Sequence, residues 1–107
     1  EQQLVITREI GDRRGEGNAL GNLGNAWDSL GEARKAIAYH EQALVISREI
    51  GDRLGEGNDL YNSALALKKM GDDGEALARA RAALDIFMAI ESPHAETVRQ
   101  AIADWES

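Results

Sequence analysis

The sequence predicts an all-α fold, a solenoid of antiparallel helix hairpins with about six helices. Three observations lead there. The first is an internal repeat. Residues 1–20 (EQQLVITREIGDRRGEGNAL) match residues 41–60 (EQALVISREIGDRLGEGNDL) at sixteen of twenty positions, at an offset of 40. The register then continues, placing Gly31 on Gly71, Ala36 on Ala76, Ala43 on Ala83, Leu44 on Leu84, Ile46 on Ile86 and Ile50 on Ile90. Such a period belongs to stacked units that each pack on their neighbours. The second is helical periodicity in every unit. The third is a glycine after each helical run, at Gly11, Gly31, Gly51 and Gly71, where a left-handed cap favours that residue.

The elements follow in order as helices over 2–10, 13–30, 33–50, 53–70, 73–90 and 93–106. Helix 13–30 carries the stripe Gly17, Leu20, Leu23, Gly24, Trp27, Leu30. Helix 33–50 carries Ala33, Ala36, Ile37, His40, Ala43, Leu44, Ser47 and Ile50. Helix 53–70 carries Leu54, Gly57, Leu60, Ala64 and Leu67. Asp12 and Asp52 stand as N-cap candidates, and Ser92-Pro93 opens the last helix as cap and first helical residue. That helix gathers Val98, Ala101, Ile102 and Trp105 on one face. Two-residue connections make neighbouring helices antiparallel. The chain therefore divides into 1–11, an orphan second helix of a preceding repeat; 12–51 and 52–91, two repeats; and 92–107, a capping helix. Because the first residue is Glu1 and not Met, the chain is expected to be a fragment of a longer one or a trimmed form of it.

Composition narrows the function. The 107 residues carry a net charge of −7, which opposes phosphate neutralisation and argues against nucleic acid and against an anionic membrane surface. No run approaches the roughly 18 apolar residues of a membrane span. Cysteine is absent, so disulfides and thiolate metal sites are excluded, and a reducing, cytoplasmic setting fits.

The run from Leu20 to Ala43 resembles the tetratricopeptide-repeat signature. Leu20, Leu23, Gly24 and Trp27 fit its first helix; Ala36, His40 and Ala43 fit its second, with His40 where the family usually has a large aromatic. The long period and the Leu23-Gly24-Asn25 triplet are similar to a subclass that includes animal Leu-Gly-Asn-repeat cell-polarity adaptors and the repeat tails of bacterial signalling proteins. The second unit departs from the signature: Ser63-Ala64-Leu65 replaces the triplet, Leu67 replaces Trp27 and Ala80 replaces His40. The resemblance implies a right-handed superhelix whose concave face, lined by the first helix of each hairpin, binds a protein or peptide.

Positions one face away from the core stripe point into that groove. They include Asn18, Gly21, Asn22, Asn25 and Asp28 in the first unit, and Asn58, Tyr61, Asn62, Lys68 and Lys69 in the second. Asparagine offers one acceptor and two donors without charge, so a ladder at Asn18, Asn22, Asn25, Asn58 and Asn62 suits successive peptide groups. Gly21 leaves room for a ligand chain. Tyr61 is an interface anchor. Lys68 and Lys69 suit an acidic side chain or a terminal carboxylate.

Other signals point to structure. Gly15, Gly17, Gly21 and Gly24 lack the spacing and the preceding strand of a phosphate loop, and Gly17 and Gly24 read as close-packing positions. His40 and His94 lie on different helices without metal-ligand spacing, His40 as a core residue with a bonded ring nitrogen, so no metal or other cofactor is expected. Trp27 and Trp105 read as core. Arg48-Glu49 and Glu75-Arg79 read as surface pairs. No catalytic constellation is visible, and the chain is not expected to be an enzyme. A second reading is homo-oligomerisation through Leu4, Val5, Ile6 and Ile10 of the first helix.

Overall fold

The computed structural model describes the backbone of residues 2–107 and the side chains from Asp12 onward. Among the described residues every regular element is a helix: α1 (Gln2–Ser29), α2 (Ala33–Ile50), α3 (Arg53–Lys69), α4 (Asp73–Ala89) and α5 (His94–Glu106). Each helix packs on the next in sequence, and α1 also reaches α3 across α2. No described helix is long and apolar enough to cross a membrane.

Four turns repeat one geometry every 20 residues. In each, a backbone N–H reaches back five residues to a carbonyl: Glu32 to Trp27 at 2.9 Å, Asp52 to Ser47 at 2.8 Å, Asp72 to Leu67 at 3.0 Å and Ser92 to Phe87 at 2.8 Å. The residue before it is left-handed, with φ of 81° at Gly31, 72° at Gly51 and 84° at Gly71. Glu91 adopts the same conformation, at φ 56°, without being glycine. Asp52 accepts from the Gly55 N–H at 3.0 Å, as an N-cap should. Ser92 Oγ accepts from the His94 N–H at 3.2 Å, with Pro93 in helical conformation beside it.

The expected break at Gly11-Asp12 is not there. The helices expected over 2–10 and 13–30 merge into one, α1 (Gln2–Ser29), so the described helices number five rather than six. The same Glu-Ile-Gly-Asp-Arg segment turns at 49–53 and stays helical at 9–13. A turn surrenders internal helical hydrogen bonds. At 51–52 the packing of α2 against α3 and the Asp52 cap offset that loss. Leu4, Val5, Ile6 and Ile10, the proposed oligomerisation face, lie outside the residues whose side chains are described.

Close approach of helices sets the packing. Gly24 is covered by the His40 ring, and a Cβ there would stand 2.6 Å from it. Gly57 is likewise covered by Phe87, at 2.6 Å from an added Cβ. The two hairpins thus fill their cores differently. Gly24 and His40 in the first become Ala64 and Ala80 in the second, and Phe87 occupies the place of Ser47. The main cluster joins Leu44, Leu60, Ala64, Ala80, Ala83, Ile86, Phe87, Val98 and Ile102. Three stripe residues are exposed instead of buried: Leu23 (44%), Leu30 (72%) and Leu54 (47%), because they lie at the edge of the packed face. Ile46, off the expected stripe, is buried because Gly17 leaves room for its side chain. Trp105 is half-buried and packs against the main cluster, while Trp27 is half-buried outside it, with Lys35 Nζ 4.3 Å from its ring centroid. Arg48 pairs with Glu56 at 3.2 Å rather than with Glu49, since adjacent helical residues do not face each other.

Replacing Glu91 by Gly relieves the left-handed strain and raises stability by about 1 kcal/mol, read as a higher urea midpoint. Gly57→Ala forces Cβ into Phe87 and lowers stability by about 1–3 kcal/mol. Gly15→Ala, which meets nothing within 4 Å, raises it by about 0.5–1 kcal/mol. Equal effects at Gly57 and Gly15 would contradict the close-approach reading.

Candidate functional site

A groove of about 360 Å³ runs between α1 and α3. Asn18, Asn22 and Asn25 line it from α1, and Asn58 and Asn62 from α3. All five asparagines singled out in the sequence therefore meet in one place. The reason is local: each recurs three or four residues from the last on its helix, so each α-helical turn returns it to the same face. Gly21 keeps the α1 wall low, and Ile46, Ser47 and Ile50 of α2 form the floor.

The floor carries a charge that the ladder reading missed. Asp59 is only 8% exposed, and the Ser47 hydroxyl donates to its Oδ2 at 2.9 Å. Its Oδ1 has no hydrogen-bond partner among the described residues and faces Gly21, 3.8 Å from where a Cβ would stand. Burial pushes the Asp59 carboxyl up to about 6; the Ser47 hydrogen bond opposes this, and the nearby Asp52 charge adds to it. At the mouth, Arg14 reaches Asp52 at 3.3 Å.

A detectable signal existed for these residues. The twenty-residue copies differ at four pairs of positions: Gln3/Ala43, Thr7/Ser47, Arg14/Leu54 and Ala19/Asp59. Three of the four pairs supply Ser47, Arg14 and Asp59. The rest of the lining from these copies, including Gly17, Asn18, Ile46, Asp52 and Asn58, stands at positions where the copies agree.

Across α3 lies a second, smaller compartment of about 180 Å³. Asn58 and Asn62 border both compartments, while Tyr61, Phe87, His94 and Val98 make the second one apolar. Burial pushes the Tyr61 phenol up, so it stays protonated and able to donate. The His94 ring tilts against Phe87, with centroids 5.4 Å apart.

Lys68 and Lys69 do not join the asparagines. Lys68 Nζ donates to Asp73 at 3.2 Å and stands 5.9 Å from the Trp105 ring centroid. Lys69 Nζ donates to Asp28 at 2.8 Å, tying α3 to α1 beyond Asn25. Both ammonium groups already face carboxylates. His40 is buried, as expected, but its Nδ1 has no partner among the described residues, and neither has Asp28 Oδ1. Burial pulls the His40 pKa down against the opposing charge of Asp28, so the ring is neutral near pH 7.

The chain matches the family model described as tetratricopeptide repeat over residues 15–89. That span runs from within α1 to the last residue of α4. No curated protein matches the chain significantly.

Asp59 also makes a stability prediction. Its folded pKa, about 6, lies above the ordinary 3.8, so the folded chain holds that proton more tightly than the unfolded one. The resulting stabilisation is complete below the unfolded value and is lost as pH rises through about 6. Asp59→Asn, which keeps an acceptor for Ser47, should be more stable than the parent at pH 7 by of order 2 kcal/mol. The gap should close toward pH 4. Urea unfolding across this range measures it, and a less stable variant at pH 7 would overturn the assignment.

Proposed function

The chain belongs to the tetratricopeptide-repeat family, whose repeats generally mediate protein–protein interaction, and from that premise we propose that its α1–α3 groove binds a peptide or protein segment. The convergence of five asparagines on one groove carries this reading. Each offers an amide that pairs with a backbone peptide group, and Gly21 lets a ligand backbone approach α1. Affinity then comes from polar contacts along the ligand chain, with Tyr61 as the apolar anchor across α3. The absence of cysteine and the acidic balance fit a cytoplasmic segment of a larger scaffold or signalling protein. The 40-residue period and the Leu23-Gly24-Asn25 triplet support the long-period Leu-Gly-Asn subclass. Lys68 and Lys69 are secondary to the asparagines, because their charges are already engaged with Asp73 and Asp28.

Peptides selected on the chain from a random display library provide the test. Asn22→Ala with Asn62→Ala should weaken binding at least tenfold, about 1.4 kcal/mol or more. Lys68→Ala should change it by less than about twofold, in keeping with a largely exposed ion pair. Isothermal titration measures both. Unchanged affinity in the double variant would sink the groove assignment.

A further inference from the structure

We propose that the groove selects a segment with one cationic side chain, seated against Asp59, next to one large apolar side chain, seated between Tyr61, Phe87 and Val98. This rests on the groove reading above and adds the chemistry of its ligand.

The two compartments are the same slot in successive repeats. An offset of 40 carries Asn18 onto Asn58, Asn22 onto Asn62 and Asn58 onto Val98. It also carries Ser47 onto Phe87, so the floor changes from a hydroxyl to a phenyl ring. One slot is therefore polar and the next apolar, and Asn58 and Asn62 stand on the wall between them. A ligand crossing α3 meets the two in sequence.

The polar slot has a definite sign. Its lining contains three charged side chains: Arg14 from α1, Asp52 at the N-cap of α3, and Asp59. From α2 it receives Ile46, Ser47 and Ile50, and α4 contributes nothing to it. Arg14 is matched to Asp52, which leaves Asp59 as the uncompensated charge. One carboxylate oxygen is already held by Ser47. The other faces the groove without a partner among the described residues, on a side chain that is 8% exposed. A Lys or Arg side chain supplies both the countercharge and the missing donor. A ligand carboxylate in that slot would instead meet like charge. The apolar slot, at about 180 Å³, exceeds the roughly 150 Å³ that holds a benzene ring, so it takes one Leu, Met or Phe side chain. Its Asn58 and Asn62 rim pairs with the ligand backbone between the two side chains.

The test uses the unmodified chain and its Asp59→Asn variant against a random peptide display library. Peptides selected on the parent should be enriched in a Lys or Arg next to a large apolar residue. Changing that basic residue to Gln should weaken binding about tenfold or more on the parent, and by less than about twofold on the Asn variant. A second arm needs no protein variant. Because the Asp59 carboxyl titrates near 6, parent affinity for the basic peptide should fall about tenfold from pH 7 to pH 5. The Gln peptide, which lacks the cation, should stay flat. Groove-binding peptides without a basic residue, or a Lys-to-Gln penalty unchanged by Asp59→Asn, would overturn this inference while leaving the groove assignment intact. Selected peptides indifferent to Asn22→Ala with Asn62→Ala would overturn both.

Discussion

Antiparallel helices joined by turns of two to four residues must lie close together, and the rest of this structure follows from how that closeness is met. The turns allow little freedom, since each is fixed by a left-handed residue and a backbone bond reaching five residues back. Close approach then has to be supplied by side-chain volume. In the first hairpin the His40 ring lies over Gly24; in the second Phe87 lies over Gly57. Interiors at this density leave no room for a bulky residue on both sides of a contact. The exchange of Gly24 and His40 for Ala64 and Ala80, together with Ser47 for Phe87, keeps the volume while moving it.

Moving the volume also changes the surface. Where the first repeat has Ser47, space remains between α1 and α3 for a polar floor, and Asp59 is lodged there against the hydroxyl. Where the second has Phe87, the floor is apolar and backs a niche with Tyr61 and Val98. One core substitution between repeats thus decides the character of two adjacent slots. Asp59 is a carboxylate held in a place that disfavours its charge, with one donor where it has capacity for more. Such a group destabilises the fold near neutral pH and becomes useful when a ligand completes its bonding.

The asparagine ladder was legible in the sequence because helical spacing alone puts Asn18, Asn22 and Asn25 on one face, and the 40-residue period brings Asn58 and Asn62 alongside. Lys68 and Lys69 share that face in projection, yet ion pairing with Asp73 and Asp28 draws their charges elsewhere; partner choice among exposed charges is not a periodic property. Asp59 and Ser47 escaped a reading built on identity, since both stand where the copies differ. Arg14 did so too. Leu23, Leu30 and Leu54 were placed in the core by a stripe wider than the contact it meets.

The sequence by itself determined the helices, the 20-residue spacing of helix and turn, the small residues at the helix contacts and the asparagine face. These depend on backbone periodicity, capping and local volume, which short stretches of chain encode. Tertiary structure decided the rest. The pentapeptide Glu-Ile-Gly-Asp-Arg is one continuous helix at 9–13 and a turn at 49–53, although its local preferences are the same in both places. At 51–52 two packed helices and the Asp52 cap outweigh the hydrogen bonds that a turn forfeits. Asp59 likewise became a groove-floor carboxylate only because Ser47, twelve residues earlier on another helix, was folded against it.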